Sequence, residues 1–97
     1  MPDLTLSCKA ASDLADIARF TTERFGPAQA RSCREALLGA MQTIGAHPDI
    51  GSDQSHIAPG VRGLVHGAHA IYYRRKSDGV FVLHILGPGQ DPTRSRF

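Results

Sequence analysis

Residues 7–48, SCKAASDLADIARFTTERFGPAQARSCREALLGAMQTIGAHP, carry the pattern on which the fold turns. Ala10, Leu14, Ile17, Ala18, Thr21 and Phe25 recur at spacings of three and four, which places them on one stripe of a helix over residues 8–25. Ser7 is positioned to cap that helix; Ser12 is a competing cap, but a start there would discard Ala10 from the stripe. Gly26-Pro27 is a stop followed by a start. Glycine tolerates the left-handed conformation just beyond a helix, and proline at a first helical position gives up only a donor that had no partner. The second stripe is Ala30, Cys33, Leu37, Met41 and Ile44, with Leu38 and Ala40 at its margins, and Gly45 with Pro48 ends this helix near residue 45. Two amphipathic helices joined so tightly are predicted to lie antiparallel, as a hairpin with one shared apolar face.

On the N-terminal side, Leu4 and Leu6 alternate with Thr5 and Ser7, the pattern of a short strand over residues 3–7. On the C-terminal side, residues 45–60 are rich in Gly, Pro, Ser, Asp and His without periodicity and are predicted to form a long loop. Three strands follow, over residues 61–65, 68–75 and 80–86, with Gly67 dividing the first two and Ser77-Asp78-Gly79 marking a hairpin before the third. Val80 to Leu86 is apolar on both faces, as expected of an interior strand. Residues 87–97 form an irregular basic tail, with two Pro and two Gly.

The resulting fold class is α+β: an N-terminal strand, an antiparallel helix hairpin and a three-stranded antiparallel meander, giving four strands with both helices on one face. Nothing in the chain is assigned to cover the other face. Val80, Val82 and Leu86 would lie on it if the helices take Phe81, Leu83 and Ile85, and alternation alone leaves the choice of face open.

A chain of 97 residues has room for one core, so residues 1–97 are taken as a single domain. No apolar run approaches the ~20 residues that span a bilayer, and Asp3 sits where a signal peptide would carry positive charge, so a soluble, cytoplasmic protein is expected. Cys8 and Cys33 have no metal-like spacing and are expected to be reduced, small buried hydrophobes. Charge is unevenly spread. Residues 1–60 hold five Lys/Arg against seven Asp/Glu, whereas residues 61–97 hold six against two, a net of +4. The second half therefore offers a positive face to an anionic partner, beside the alternative of scattered solubilising charge.

Several local sequences in this order resemble the ParE branch of the RelE/ParE toxin superfamily. They are Ser7 to Leu14; Phe25-Gly26-Pro27 with Ala30; His47-Pro48 with Gly51; Val61-Arg62; Gly67-Ala68-His69-Ala70-Ile71-Tyr72-Tyr73-Arg74; and Asp91-Pro92. The resemblance spans nearly the whole chain. It implies the toxin of a bacterial toxin-antitoxin pair that inhibits DNA gyrase by binding it and is neutralised by a cognate ParD-like antitoxin in a hetero-oligomer. It implies no cofactor, and neither a membrane nor direct nucleic-acid binding is expected. The RelE branch would imply a ribosome-dependent mRNA endoribonuclease instead, and an inactive relic of either is a third alternative. Cutting RNA without a metal requires an acid, a base and cations at the phosphate. In the RelE branch a Tyr or His near the C-terminus contributes, and here Gly87-Pro88-Gly89 departs from the family while the tail offers only Arg94 and Arg96.

Expected target contacts are therefore Arg62, Arg94 and Arg96, although Arg62 on a half-buried strand is equally placed to pair with a carboxylate. The antitoxin's apolar C-terminal segment is expected over Val80, Val82, His84 and Leu86, or in the groove beside the helix hairpin. His69 and His84 have the acidity for proton transfer but lie among apolar neighbours, which favours packed or partner-facing roles. His47, His56 and His66 are too irregularly spaced for a metal site, so none is expected. Of Tyr72 and Tyr73, one should enter the core and the other reach the open face or solvent. Arg74, Arg75 and Lys76 read as a solvated edge before the hairpin turn.

Overall fold

The computed structural model describes residues 3–87. Strand β1 (Asp3–Leu6) leads into helix α1 (Cys8–Phe25) through Ser7, whose hydroxyl accepts the Ala10 N–H at 2.9 Å and donates to the Leu83 carbonyl at 2.8 Å. Ser7 therefore caps the helix and ties its start to the sheet. Gly26, at φ 91°, donates its N–H to the Thr22 carbonyl, and α2 (Pro27–Ala46) starts on the next residue. That positive φ is one that L side chains rarely adopt, which is why the junction is a glycine.

The meander is β3 (Val61–His66), β4 (His69–Lys76) and β5 (Gly79–Leu86). A two-residue strand β2 (Ser52–Asp53) pairs antiparallel with β3, so the sheet has five strands in the order β1-β5-β4-β3-β2 rather than the four expected. The added strand is too short for any two-residue periodicity to register in sequence. β1 lies parallel to β5, which makes β5 interior.

Both helices pack on one sheet face. Ala10, Leu37, Ala40, Met41 and Ile44 meet Ile71, Tyr73, Val80, Val82 and Ile85 in the main core. Val82 and Ile85 share a face despite their odd spacing because the register slips. Tyr72 pairs with His84 while Tyr73 pairs with Val82, leaving Leu83 as an extra residue in β5. The helices thus take Val80, Val82 and Ile85, which corrects the expectation that Val80 and Val82 lie on an open face. Nor is the opposite face bare. Ile57 and Ala58 from the loop pack with Val61, Tyr72, Leu83 and Leu86 in a second, smaller cluster. Tyr72 is consequently buried there, while Tyr73 enters the main core.

Two other expectations fail at helix ends. Cys8 is exposed, since it precedes the apolar stripe that begins at Ala10, and Cys33 is only half-buried. Phe25 is 69% exposed, because the last turn of α1 faces the turn between β3 and β4 across a gap.

Among the described residues no strand lies beside the outer edge of β5 beyond Val82, since β1 pairs only with residues 79–82. Helix α1 closes that edge. The buried Asp13 carboxylate accepts the Ile85 N–H at 3.0 Å, contacts His84 Nδ1 and holds Lys9 Nζ at 2.9 Å. Its negative charge raises the Lys9 pKa, through the hydrogen bond first and the charge second. Toward the opposite edge of the sheet, on the helix-covered face, the Tyr73 hydroxyl grips the turn after α2, donating to the Pro48 carbonyl and accepting the Gly51 N–H, each at 2.8 Å. Residue 51 must lack a side chain: a Cβ there would lie 2.7 Å from that hydroxyl and 2.9 Å from the Gly63 carbonyl.

Removing the Asp13 carboxylate leaves a buried N–H and a buried imidazole without their acceptor. Asp13→Ala is expected to cost about 3 kcal/mol, seen as a fall of more than about 10 °C in the thermal midpoint. A fall below about 2 °C would show that α1 does not depend on this contact. Tyr73→Phe deletes both hydrogen bonds to the 48–51 turn and is expected to cost about 2 kcal/mol by chemical denaturation, with loss of amide protection at Gly51; unchanged protection there would refute the assigned role.

Candidate functional site

Where the end of the helix hairpin overhangs the turn between β3 and β4, an apolar groove of about 550 Å³ remains open. Helix α1 lines it with Phe20, Thr21 and Phe25, and α2 with Gln29, Ser32, Cys33, Ala36 and Leu37. The hairpin closes it with His66, Gly67, Ala68 and His69. Phe20 is 55% exposed, and the Arg24 guanidinium stacks over its ring at 5.1 Å from the centroid. His66 and His69 stand opposite each other as the closing pair of the β3–β4 ladder. His69 is held below the usual histidine pKa, chiefly by burial and secondarily by the neighbouring His66. Two large aromatic side chains thus face solvent beside a His69 ring whose charged form is disfavoured by burial, a surface suited to an apolar segment.

Among the described residues, those singled out from the sequence do not converge. Arg62 is half-buried and already engaged, donating from Nε to the Gly51 carbonyl at 3.0 Å and from Nη2 to the Asp49 carbonyl at 3.2 Å. With Tyr73, and with Arg75 bridging to the Asp49 carboxylate at 3.0 Å, it clamps the turn after α2. The four residues assigned to antitoxin contact are all inside the fold: Val80 and Val82 are fully buried under the helices, His84 is 4% exposed against Asp13, and Leu86 is 4% exposed in the second cluster. Arg94 and Arg96 lie outside the described residues.

The Arg74–Lys76 run is less solvated than expected: Lys76 Nζ donates to Thr5 Oγ1 at 2.9 Å, and Arg74 Nε is buried without a partner among the described residues. His47, His56 and His66 are exposed. Among the described residues no group of three or more His, Cys, Asp and Glu is placed to hold a metal ion, and no helix is long and apolar enough to cross a membrane. The groove's aromatic wall was the part missed. Its signal was Phe20, a large apolar residue off the α1 stripe, on the side that the periodicity gives to solvent.

Comparison with known proteins agrees with this architecture. The Pseudomonas chain titled "Chromosomal ParDE TA system from P. aeruginosa" superposes with a TM-score of 0.79, covering 91% of this chain and 97% of that one at 23% sequence identity, which shows a shared fold. Toxin ParE1 of Mycobacterium tuberculosis is 33% identical over 91 residues, 93% of each chain. Toxin ParE1 of Caulobacter vibrioides is 31% identical over 74 residues, 76% of this chain and 77% of that one. The family profile described as ParE toxin of type II toxin-antitoxin system, parDE, matches residues 4–92. With that match spanning nearly all of the chain, the protein belongs to the ParE toxin family of type II toxin-antitoxin systems.

Proposed function

We propose that this ParE-family chain acts by binding DNA gyrase rather than by catalysis, and that a cognate ParD-like antitoxin holds it inactive by laying an apolar segment into the Phe20–Phe25 groove. The observation that carries the antitoxin part is the groove itself, an exposed aromatic surface that the chain leaves uncovered among its described residues. Fully covering one Phe side chain is worth roughly 1.5–3 kcal/mol, so two such anchors contribute strongly to a complex. The open sheet face considered from sequence is a weaker candidate, because Ile57 and Ala58 already occupy part of it.

Binding rather than ribonuclease chemistry is supported by where the acid-base groups lie. The His84 ring is taken up in its buried contact with Asp13, and the Tyr73 hydroxyl is committed to Pro48 and Gly51. His66 and His69 sit at the groove, whereas Arg62 serves the turn after α2. Among the described residues no acid-base pair meets a cation placed to bind a phosphate, which the nuclease alternative requires. With Arg62 engaged, Arg94 and Arg96 are the principal proposed contacts to the target, with Arg62 secondary.

A supercoiling assay with purified gyrase, run beside a translation assay that reports mRNA cleavage, tests this assignment. The intact chain is expected to inhibit supercoiling and leave ribosome-bound mRNA whole, and equimolar antitoxin is expected to restore gyrase. Deleting residues 90–97 is expected to weaken inhibition while leaving the thermal midpoint nearly unchanged. Cleavage of ribosome-bound mRNA with gyrase untouched would overturn the binding mechanism in favour of the ribonuclease.

A further inference from the structure

Among the described residues, no Asp, Glu, Lys or Arg lines the groove. Helix α1 lines it with Phe20, Thr21 and Phe25, and its nearest charged group is the Arg24 cation stacked on Phe20. Helix α2 places one titratable group there, the Cys33 thiol. The hairpin places two, His66 and His69, directly opposite each other across the ladder. Among the described residues no carboxylate lines the groove, so a proton taken up by the His69 imidazole meets the facing His66 ring rather than a counter-ion.

We infer that filling this groove is linked to protons: the partner's apolar segment seats over the uncharged His69 ring, which stands opposite His66 at the groove's hairpin wall, and is released as His69 becomes charged. The inference rests on the proposal that the antitoxin occupies the groove. His69 is half-buried while the groove stands open, and burial already works against its charged form. An apolar segment laid over it removes the remaining water and opposes charging further. The bound state therefore holds fewer protons than the free state, and by linkage affinity falls as pH falls through the imidazole range. A site that accepts only the neutral ring loses about tenfold in affinity one pH unit below that ring's pKa. The same surface selects the partner's chemistry. Where it crosses the hairpin turn the segment carries aliphatic or aromatic side chains, since a Lys or Arg there would face two imidazoles and, among the described lining residues, no counter-ion.

The test uses the full-length chain and the full-length ParD-like antitoxin with which it is purified, titrated calorimetrically between pH 8.0 and pH 5.5. For the unaltered protein, affinity is expected to fall about tenfold or more across that range. Association at pH 6.0, measured in two buffers of different ionisation heat, is expected to release protons. In the H66Q/H69Q variant, checked for folding by circular dichroism, the ratio of the affinities at pH 8.0 and pH 5.5 is expected to approach one, whatever the change in absolute affinity. Affinity that is flat or rises in acid, proton uptake on association, or an equal pH dependence in the variant would each overturn the inference while leaving the antitoxin assignment standing. Absence of binding at pH 8.0 would overturn the antitoxin assignment and the inference with it. The proton-release measurement needs no substitution, so it decides the matter even if the double variant does not fold.

Discussion

Leu83 gives β5 one residue more than β4 between the pairs Tyr73–Val82 and Tyr72–His84, and the layout of both cores depends on that extra residue. Before it, Val80 and Val82 point at the helices; after it, Ile85 does, and Leu86 turns to the second cluster. A strand without the bulge would send Ile85 away from the helices, because a shift of one residue exchanges the two faces. The bulge also falls where β1 stops pairing. There Ser7 binds the Leu83 carbonyl, and the Asp13 carboxylate takes the Ile85 N–H and meets His84. One helix thus supplies both the apolar stripe that covers the sheet and the polar groups that finish its edge. A buried carboxylate is tolerable in such a place because its oxygens are occupied by Lys9, Ile85 and His84.

Where local physics decides the backbone, the sequence was informative. The two helices, the Ser7 cap, the Gly26-Pro27 junction and the Ser77–Gly79 turn are each written in a handful of nearby residues, and each stands in the structure at its expected place, with Phe25 alone leaving the first stripe for solvent. What failed depended on contacts distant in sequence. β5 is apolar on both faces, so no period reveals that its register slips at Leu83, and the face assigned to a partner proved to be the packed interior. β2 is two residues long and exists because Ser52 and Asp53 lie along Gly63 and Arg62. The His47-Pro48 and Gly51 motif was recognisable as a pattern, but its cause is the Tyr73 hydroxyl 22 residues further on from Gly51.

Of the residues singled out for contact, the structure buries Val80, Val82, His84 and Leu86 and engages Arg62 internally. A groove beside the helix hairpin followed from two amphipathic helices meeting at a tight turn. Its aromatic wall did not, because Phe25 falls on the α1 stripe and was assigned to the core, whereas the last turn of α1 passes the end of the strands. Arg62 lay within a recognisable motif, and its guanidinium serves the turn after α2. Electrostatic reasoning located the positive half of the chain, but which cations are already spent on internal carbonyls and carboxylates emerges only from the fold.

These features distinguish two surfaces, the groove with Phe20, Phe25 and the histidine pair, and the sheet face carrying Phe81 and the buried Arg74 Nε. The antitoxin segment is proposed to occupy the first. Amide hydrogen exchange of the chain, free and bound to its antitoxin, separates them most directly. New protection is expected over residues 20–37 and 64–70, with the amides of β1 and of residues 72–82 unchanged. Protection confined to residues 72–82 and β1, with the hairpin end exchanging as in the free chain, would contradict it.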